Sequence, residues 1–156
     1  MTYKTLMVIL SAFVIISGSF IAYSAFTEDP KADPEELEVT MYRGEACECC
    51  GDWADYLKDQ GITVVDEKVD DLPSIKQKKG VPGAFQSCHT AIVDGYIVEG
   101  HVPAEDILRM VAQQPDAIGI AVPGMPAGSP GMEVGHSEPY NVLLFDRDRY
   151  SVFAEY

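Results

Sequence analysis

The sequence predicts an α/β domain whose elements follow the order β-α-β-α-β-β-α, with a loop rich in glycine and proline and a terminal hairpin after them. Three observations support this prediction. Apolar side chains alternate over residues 37–42, as in a half-buried strand, and recur at helical spacing over residues 50–57. The dipeptide Asp94-Gly95 separates two runs of β-branched and aromatic residues, which favours a hairpin closed by a type I′ turn.

Breakers and capping residues delimit the other elements. Gly61 ends the first helix, and the apolar run at residues 62–65 is the second strand. Residues 72–79 form a short helix or a turn. Pro103 opens the third helix, because its fixed φ and missing N–H suit the first turn of a helix.

The C-terminal part contains a long irregular stretch. Residues 119–136 hold five Gly and three Pro, which is too many for regular structure. Residues 141–145 and 151–153 then form the terminal hairpin. The complete order, with the cysteines between the first strand and the first helix, is that of a thioredoxin-like domain.

The chain of 156 residues divides into three parts. Residues 1–26 are a signal peptide or an N-terminal membrane anchor, since the apolar run after Lys4 matches the ~20 residues that span a bilayer. Residues 27–37 are an acidic, proline-containing linker, and residues 38–156 are the thioredoxin-like domain. Both interpretations of the N-terminus place the domain in the periplasm or on the extracytoplasmic face of the inner membrane.

The charge of the chain excludes some classes of partner. Eleven Lys and Arg against 25 Asp and Glu give a formal charge of −14. Nucleic acid and anionic lipid headgroups are therefore not expected as partners, because binding phosphates needs a basic face. Contact with a membrane is expected only through the N-terminal segment, if it is uncleaved. The acidic side chains are expected on solvated faces.

The four cysteines are the residues most able to carry chemistry. Cys47, Cys49 and Cys50 lie at the start of the first helix, and Cys88 precedes the hairpin. Unpaired N–H groups and the helix dipole stabilise thiolate at a helix N-terminus. Thiolate is both the nucleophile of disulfide exchange and the ligand form for soft metals, so two chemistries compete.

The spacing of the cysteines bears on the choice between disulfide exchange and metal binding. Cys47 and Cys50 have the separation of a redox dithiol, but Cys49 between them would permit scrambling. A metal cluster gains from each additional sulfur, and soft thiolates suit Cu(I) better than Mg or Ca. Where a thioredoxin-like domain usually has a cis-proline, this sequence has Cys88-His89, which weakens the exchange interpretation and strengthens the metal one.

His89 is therefore a candidate ligand beside Cys88, and a buried structural role is its alternative. His101 is expected to orient the third helix rather than to bind metal. His136 is expected at the surface.

The irregular stretch repeats one motif. Pro-Gly-Met occurs at residues 123–125 and again at 130–132, and Pro-Gly favours a type II turn. Met125 and Met132 each leave such a turn, where their thioethers are candidate weak ligands for copper. The alternative is that they fill gaps against the domain.

Four motifs resemble the CopG copper-resistance family. This is an exported metal-binding family once catalogued as a domain of unknown function, and is distinct from the plasmid repressor of the same name. The resemblance covers about residue 38 to the C-terminus. The motifs are CECCGDW at 47–53, SCHTA at 87–91, YIVEGHVP at 96–103 and PGMPAGSPGME at 123–133.

The resemblance implies an exported protein of thioredoxin-like fold that functions in copper resistance. It implies that Cys47, Cys49, Cys50 and Cys88 hold a multinuclear copper–thiolate site, in which Cu(I) and Cu(II) interconvert. Copper ions and other envelope copper-resistance proteins are the implied partners. If this interconversion is catalysed, the chain is a copper oxidoreductase.

Two other functions remain open. A thiol–disulfide oxidoreductase would use Cys47 and Cys50. A copper chaperone would carry Cu(I) without electron transfer, and it would need the same soft ligands as a redox protein.

Overall fold

The computed structural model describes residues 32–34 and 37–156. The predicted signal peptide or anchor at 1–26 and most of the linker at 27–37 lie outside the described residues. Within the described ranges, no helix has the length and apolar character that crossing a bilayer requires.

The described residues form a mixed α/β fold with seven strands and three α-helices. The strands are β1 (Glu38–Arg43), β2 (Thr63–Lys68), β3 (His89–Val93), β4 (Tyr96–Glu99), β5 (Gly119–Ala121), β6 (Asn141–Phe145) and β7 (Tyr150–Glu155). The helices are α1 (Glu48–Asp59), α2 (Leu72–Lys79) and α3 (Ala104–Gln113), with a short 3-10 helix at Gly83–Phe85.

The seven strands described join one sheet in the order β2-β1-β3-β4-β5-β6-β7. β1 is parallel to β2 and antiparallel to β3, and β3 is antiparallel to β4. β5 is parallel to β4, while β6 is antiparallel to both β5 and β7. The start of β3 therefore lies beside the end of β1, where His89 is opposite Arg43.

The hairpin of β3 and β4 has the predicted turn. Asp94 has a φ of 46° and Gly95 a φ of 85°, the left-handed conformation that both central residues of a type I′ turn require. Val93 pairs with Tyr96, so the turn contains two residues. This register also fixes which residues face each other at the far end of the hairpin.

The prediction that residues 119–136 lack regular structure is wrong for the first three of them. Gly119–Ala121 form β5, which is buried between β4 and β6. Gly119 is needed there, because a Cβ at this position would overlap the carbonyl oxygen of Ile97 on β4. Pairing on both sides outweighs the weak strand propensity of a glycine-containing segment.

Side chains on the two faces of the sheet belong to separate cores, because successive residues of a strand point to opposite faces. Trp53 and Leu57 of α1 pack in the larger core with Val98 of β4. Ile97, the neighbour of Val98, packs in the smaller core with Phe85. The cysteine-bearing end of α1 thus lies on the face with the larger core.

Candidate metal centre

The four cysteines meet where β1 ends and β3 begins. Cys47 is the N-cap residue of α1, and Cys50 lies in the first turn with no exposed surface. Cys50 Sγ is 3.4 Å from the Sγ of Cys88, and Cys47 Sγ is 3.8 Å from the Sγ of Cys49. All four Sγ atoms lie within 4.8 Å of one another. The structure therefore brings together the four cysteines that the sequence singled out.

The cysteines differ in oxidation state. Cys47 and Cys50 form a disulfide, whereas Cys49 and Cys88 are free and half-buried. Burial raises the pKa of the Cys88 thiol, against a smaller lowering by the Ser87 hydroxyl. Cys88 is therefore a thiol at neutral pH, and a metal ion that binds it must displace the proton.

His89 and His101 both lie beside the sulfur of Cys88. His89 Nδ1 and His101 Nε2 are each 3.8 Å from the Cys88 Sγ. Burial lowers the pKa of His89 to about 3 and also lowers the pKa of His101, so both imidazoles are neutral at pH 7. The Nδ1 of His101 donates a 2.8 Å hydrogen bond to the Pro130 carbonyl, which leaves Nε2 bare toward the sulfur.

The position of His101 corrects the sequence analysis, which expected it to orient the third helix. The sequence did contain the signal that finds it. The two-residue turn at Asp94-Gly95 fixes the register of the hairpin, in which Thr90 pairs with Glu99. If the same register continues for two more residues on each strand, residue 101 lies opposite Cys88. His136, as predicted, is exposed.

Trp53 lies beneath the histidines. Its ring stacks on His89 with 4.5 Å between the ring centroids, and its Nε1 donates a 2.9 Å hydrogen bond to the carbonyl of Val102. Trp53 has no exposed surface. It fills the core and also holds the plane of one imidazole.

The second Pro-Gly-Met motif packs against the centre, and the first does not. A Cβ on Gly131 would lie 2.8 Å from the Trp53 backbone nitrogen, whereas a Cβ on Gly124 would meet nothing within 4 Å. Pro130, in the second motif, accepts the bond from the His101 ring. Met132 is half-buried and Met125 is exposed.

Arg43 ties the cysteine loop to the sheet. Its Nη1 donates a 2.7 Å hydrogen bond to the Cys47 carbonyl. Its Nε and Nη2 bind both carboxylate oxygens of Asp66 on β2, at 2.8 and 2.7 Å. The guanidinium hydrogen bond holds the pKa of Asp66 below its usual value. The pair therefore fixes the backbone of Cys47.

A buried ion pair fixes the residues on both sides of Cys88. Lys76 Nζ lies 2.8 Å from Glu99 Oε2 and 2.9 Å from the carbonyl oxygen of His89. The same Oε2 accepts a 2.8 Å hydrogen bond from the Ser87 backbone N–H. Both side chains are at most 5% exposed. Burial raises the pKa of Glu99, although the hydrogen bonds from Lys76 and Thr90 oppose this.

Glu99 corrects a second expectation, that acidic side chains occupy solvated faces. Asp106 on α3 is a further exception, since it is also buried. It pairs with Arg109 at 2.7 Å and accepts a 2.7 Å hydrogen bond from the Tyr156 hydroxyl.

The donor set suits a soft or borderline metal ion. It consists of four sulfurs and two neutral imidazole rings, which are ligands of Cu(I), Cu(II) and Zn(II) rather than of Mg or Ca. The arrangement could hold a metal ion, and the disulfide also gives it the means for thiol–disulfide exchange.

Comparisons with known proteins agree with these features. A family model described as "Protein of unknown function, DUF411" matches residues 85–132, which contain Cys88, both buried histidines and the loop that covers them. A solved structure named "Copper resistance protein copG- Form 2" is 45% identical, with a TM-score of 0.73, and the match covers 77% of this chain and 98% of that one. The chain belongs to the CopG copper-resistance family.

A second CopG structure, "Copper resistance protein copG- Form 1", is 44% identical and also has a TM-score of 0.73. That match covers 80% of this chain and 98% of the other. No curated protein sequence matches the chain. The resemblance to the CopG family that the four motifs predicted is confirmed.

The packing of Gly131 against α1 predicts a difference between two similar substitutions. Gly124 and Gly131 both follow proline and both have positive φ, 84° and 78°. Gly131→Ala and Gly124→Ala should each lose about 1–2 kcal/mol of unfolding free energy from backbone strain. Gly131→Ala should lose about 1–3 kcal/mol more, because its Cβ meets the α1 backbone.

Urea unfolding followed by circular dichroism measures this difference. Equal losses for the two variants would contradict the packing of the loop on α1.

The buried pair predicts a large effect of Lys76→Met. The substitution leaves the Glu99 carboxylate buried without its cation, so the unfolding free energy should fall by about 3–5 kcal/mol. Lys58→Met is the control, because Lys58 is 50% exposed in its ion pair with Asp55 and should change stability by less than about 1 kcal/mol.

Chemical denaturation of the metal-free variants tests this prediction. If Lys76→Met were as stable as Lys58→Met, the ion pair would not be holding the segment around Cys88.

Proposed function

We propose that the chain is an exported copper-binding protein of copper resistance that holds Cu(I) on Cys47, Cys49, Cys50 and Cys88. The observation that carries this proposal is the gathering of four Sγ atoms within 4.8 Å of one another. Two related structures bear the name copper resistance protein, which supports copper as the metal.

The surroundings of the sulfurs suit Cu(I). Three of them lie at the N-terminus of α1, where the unpaired backbone N–H groups and the helix dipole favour negative charge. Arg43 fixes the backbone of Cys47 through its hydrogen bond to the Cys47 carbonyl. Two sulfurs are joined in the Cys47–Cys50 disulfide, so full loading requires its reduction. Four thiolates this close together allow bridging between ions, which supports a multinuclear site.

His89, Met125 and Met132 remain predicted secondary ligands. His89 is the best placed of them, because its Nδ1 is 3.8 Å from the Cys88 sulfur. The thioethers are supported only by their place in the two Pro-Gly-Met motifs.

We assign β1 to β4 and the three helices to a thioredoxin-like fold. The assignment is supported by the element order and by the strand order β2-β1-β3-β4, in which only β1 and β2 are parallel. We also place the domain, residues 38–156, in the periplasm or on the extracytoplasmic face of the inner membrane. The apolar run at residues 1–26 supports export, and a disulfide suits an oxidising compartment.

Titration of the reduced chain with Cu(I), without oxygen and against a chromophoric competitor, tests the cluster. The wild type should bind copper tightly, and the double substitution Cys49→Ser with Cys88→Ser should lower the stoichiometry, because it removes two of the four sulfurs. His136→Ala is the control, since this side chain is exposed. Unchanged copper content in the double variant would overturn the proposal.

The related proposal that Cu(I) and Cu(II) interconvert on the protein is tested separately. Stopped-flow mixing of the Cu(I)-loaded chain with an oxidant should produce the Cu(II) spectrum while the metal stays bound. A loaded form that does not react with physiological oxidants would identify the protein as a chaperone.

A thiol–disulfide oxidoreductase is the second candidate, and the Cys47–Cys50 disulfide favours it. The free thiol of Cys88 lies 3.4 Å from Cys50, within reach for exchange. Rapid reduction of insulin by the metal-free protein, retained in Cys49→Ser, would support this candidate over the copper site.

A further inference from the structure

The sulfur of Cys88 faces two different donor sets. It lies within 4.8 Å of the sulfurs of the CxCC motif, and it lies 3.8 Å from both His89 Nδ1 and His101 Nε2. The second set needs no sulfur from Cys47 or Cys50, so it is complete while those two residues are joined in a disulfide.

We infer that Cys88, His89 and His101 form a second metal subsite, which binds a divalent ion of borderline softness when the CxCC motif is oxidised. The assignment of Cu(II) as this ion rests on the proposed function. The subsite itself rests on the positions of three donor atoms, which lie within 4.8 Å of one another.

The distances suit direct coordination. Bonds of about 2.1 Å to nitrogen and about 2.3 Å to sulfur place the two ligand atoms about 3.6 Å apart at a tetrahedral angle. Each nitrogen is 3.8 Å from the Cys88 sulfur. At the same bond lengths this separation corresponds to an angle of about 120°, which is trigonal. Each nitrogen can therefore share one ion with the sulfur, and the three donor atoms lie within 4.8 Å of one another.

The protein already holds both imidazoles in a form that can bind metal. His101 is fixed by its hydrogen bond to the Pro130 carbonyl, the kind of outer contact that orients a ligating histidine. His89 is held by stacking on Trp53. Both rings are buried, so their positions are fixed by the surrounding core.

The donor chemistry separates this subsite from the thiolate cluster. Four thiolates favour Cu(I), whereas two imidazoles with one thiolate suit Cu(II) and Zn(II), and a trigonal His₂Cys set is the one found in blue-copper sites. The two oxidation states of copper would then use overlapping sets of ligands that share Cys88.

The test uses the full chain with Cys49→Ser, in its Cys47–Cys50 disulfide form, so that Cys88 is the only free thiol. Titration with Co(II) should produce a thiolate-to-cobalt absorption band with the d–d bands of a four-coordinate ion. Fluorescence of Trp53, the single tryptophan of the chain, should be quenched in the same titration, because its ring stacks on His89. Absence of the thiolate band would overturn the inference.

Variants assign the ligands. His101→Ala and His89→Gln should each weaken Co(II) binding more than ~100-fold. This exceeds the loss of affinity that follows when a residue that only orients a ligand is removed. His136→Ala is the matched control, because it removes the one exposed histidine of the three. Adding Cys88→Ser replaces the sulfur with a group of similar size and should abolish the band. Equal affinities for His101→Ala and His136→Ala would overturn the subsite.

Two further titrations distinguish this inference from the proposed function. Cu(II) should displace Co(II) and give an intense thiolate-to-copper band, whereas oxidation of Cys88, seen as loss of the thiol, would overturn the copper assignment. If the reduced chain binds Cu(I) but the oxidised chain does not bind Co(II), the subsite alone is overturned. If the oxidised chain binds Co(II) but the reduced chain does not bind Cu(I), the thiolate cluster is overturned and the subsite is retained.

Discussion

The buried pair of Lys76 and Glu99 is the interaction on which the geometry of the centre most depends. Cys88 has no secondary structure of its own and lies just before β3. The pair binds the N–H of Ser87 and the carbonyl of His89, so it fixes the chain on both sides of the sulfur. It lies on the sheet face opposite Trp53, and the metal-binding face is thereby left free for sulfur and imidazole.

Much of this fold follows from local patterns. The helical spacing of Cys50 and Trp53 predicts α1, and the Asp94-Gly95 turn predicts the hairpin with its register. β5 could not be predicted, because Gly119 is a strand residue only where the Ile97 carbonyl approaches it from β4. Its conformation depends on a tertiary contact that no local pattern contains.

The centre was predictable to a similar extent. Clustered cysteines at a helix start indicate a soft-metal or redox site, and the structure brings all four sulfurs together. His101 was missed because its chemistry depends on pairing across the hairpin and on the Pro130 carbonyl, which is distant in sequence. Glu99 was missed for the same reason, since an acidic residue at the end of a strand gives no sign of a buried lysine partner.

The contact of Gly131 with α1 has a consequence for the order in which the centre is assembled. The chain is synthesised from its N-terminus, so Cys47 leaves the ribosome about 80 residues before the loop that packs over α1. Cys88, His89 and His101 lie between the two in the sequence, so the four cysteines and both buried imidazoles are made before the loop. The Pro130 carbonyl that fixes the His101 ring is made after them, and it closes over a set of donors that the chain already contains.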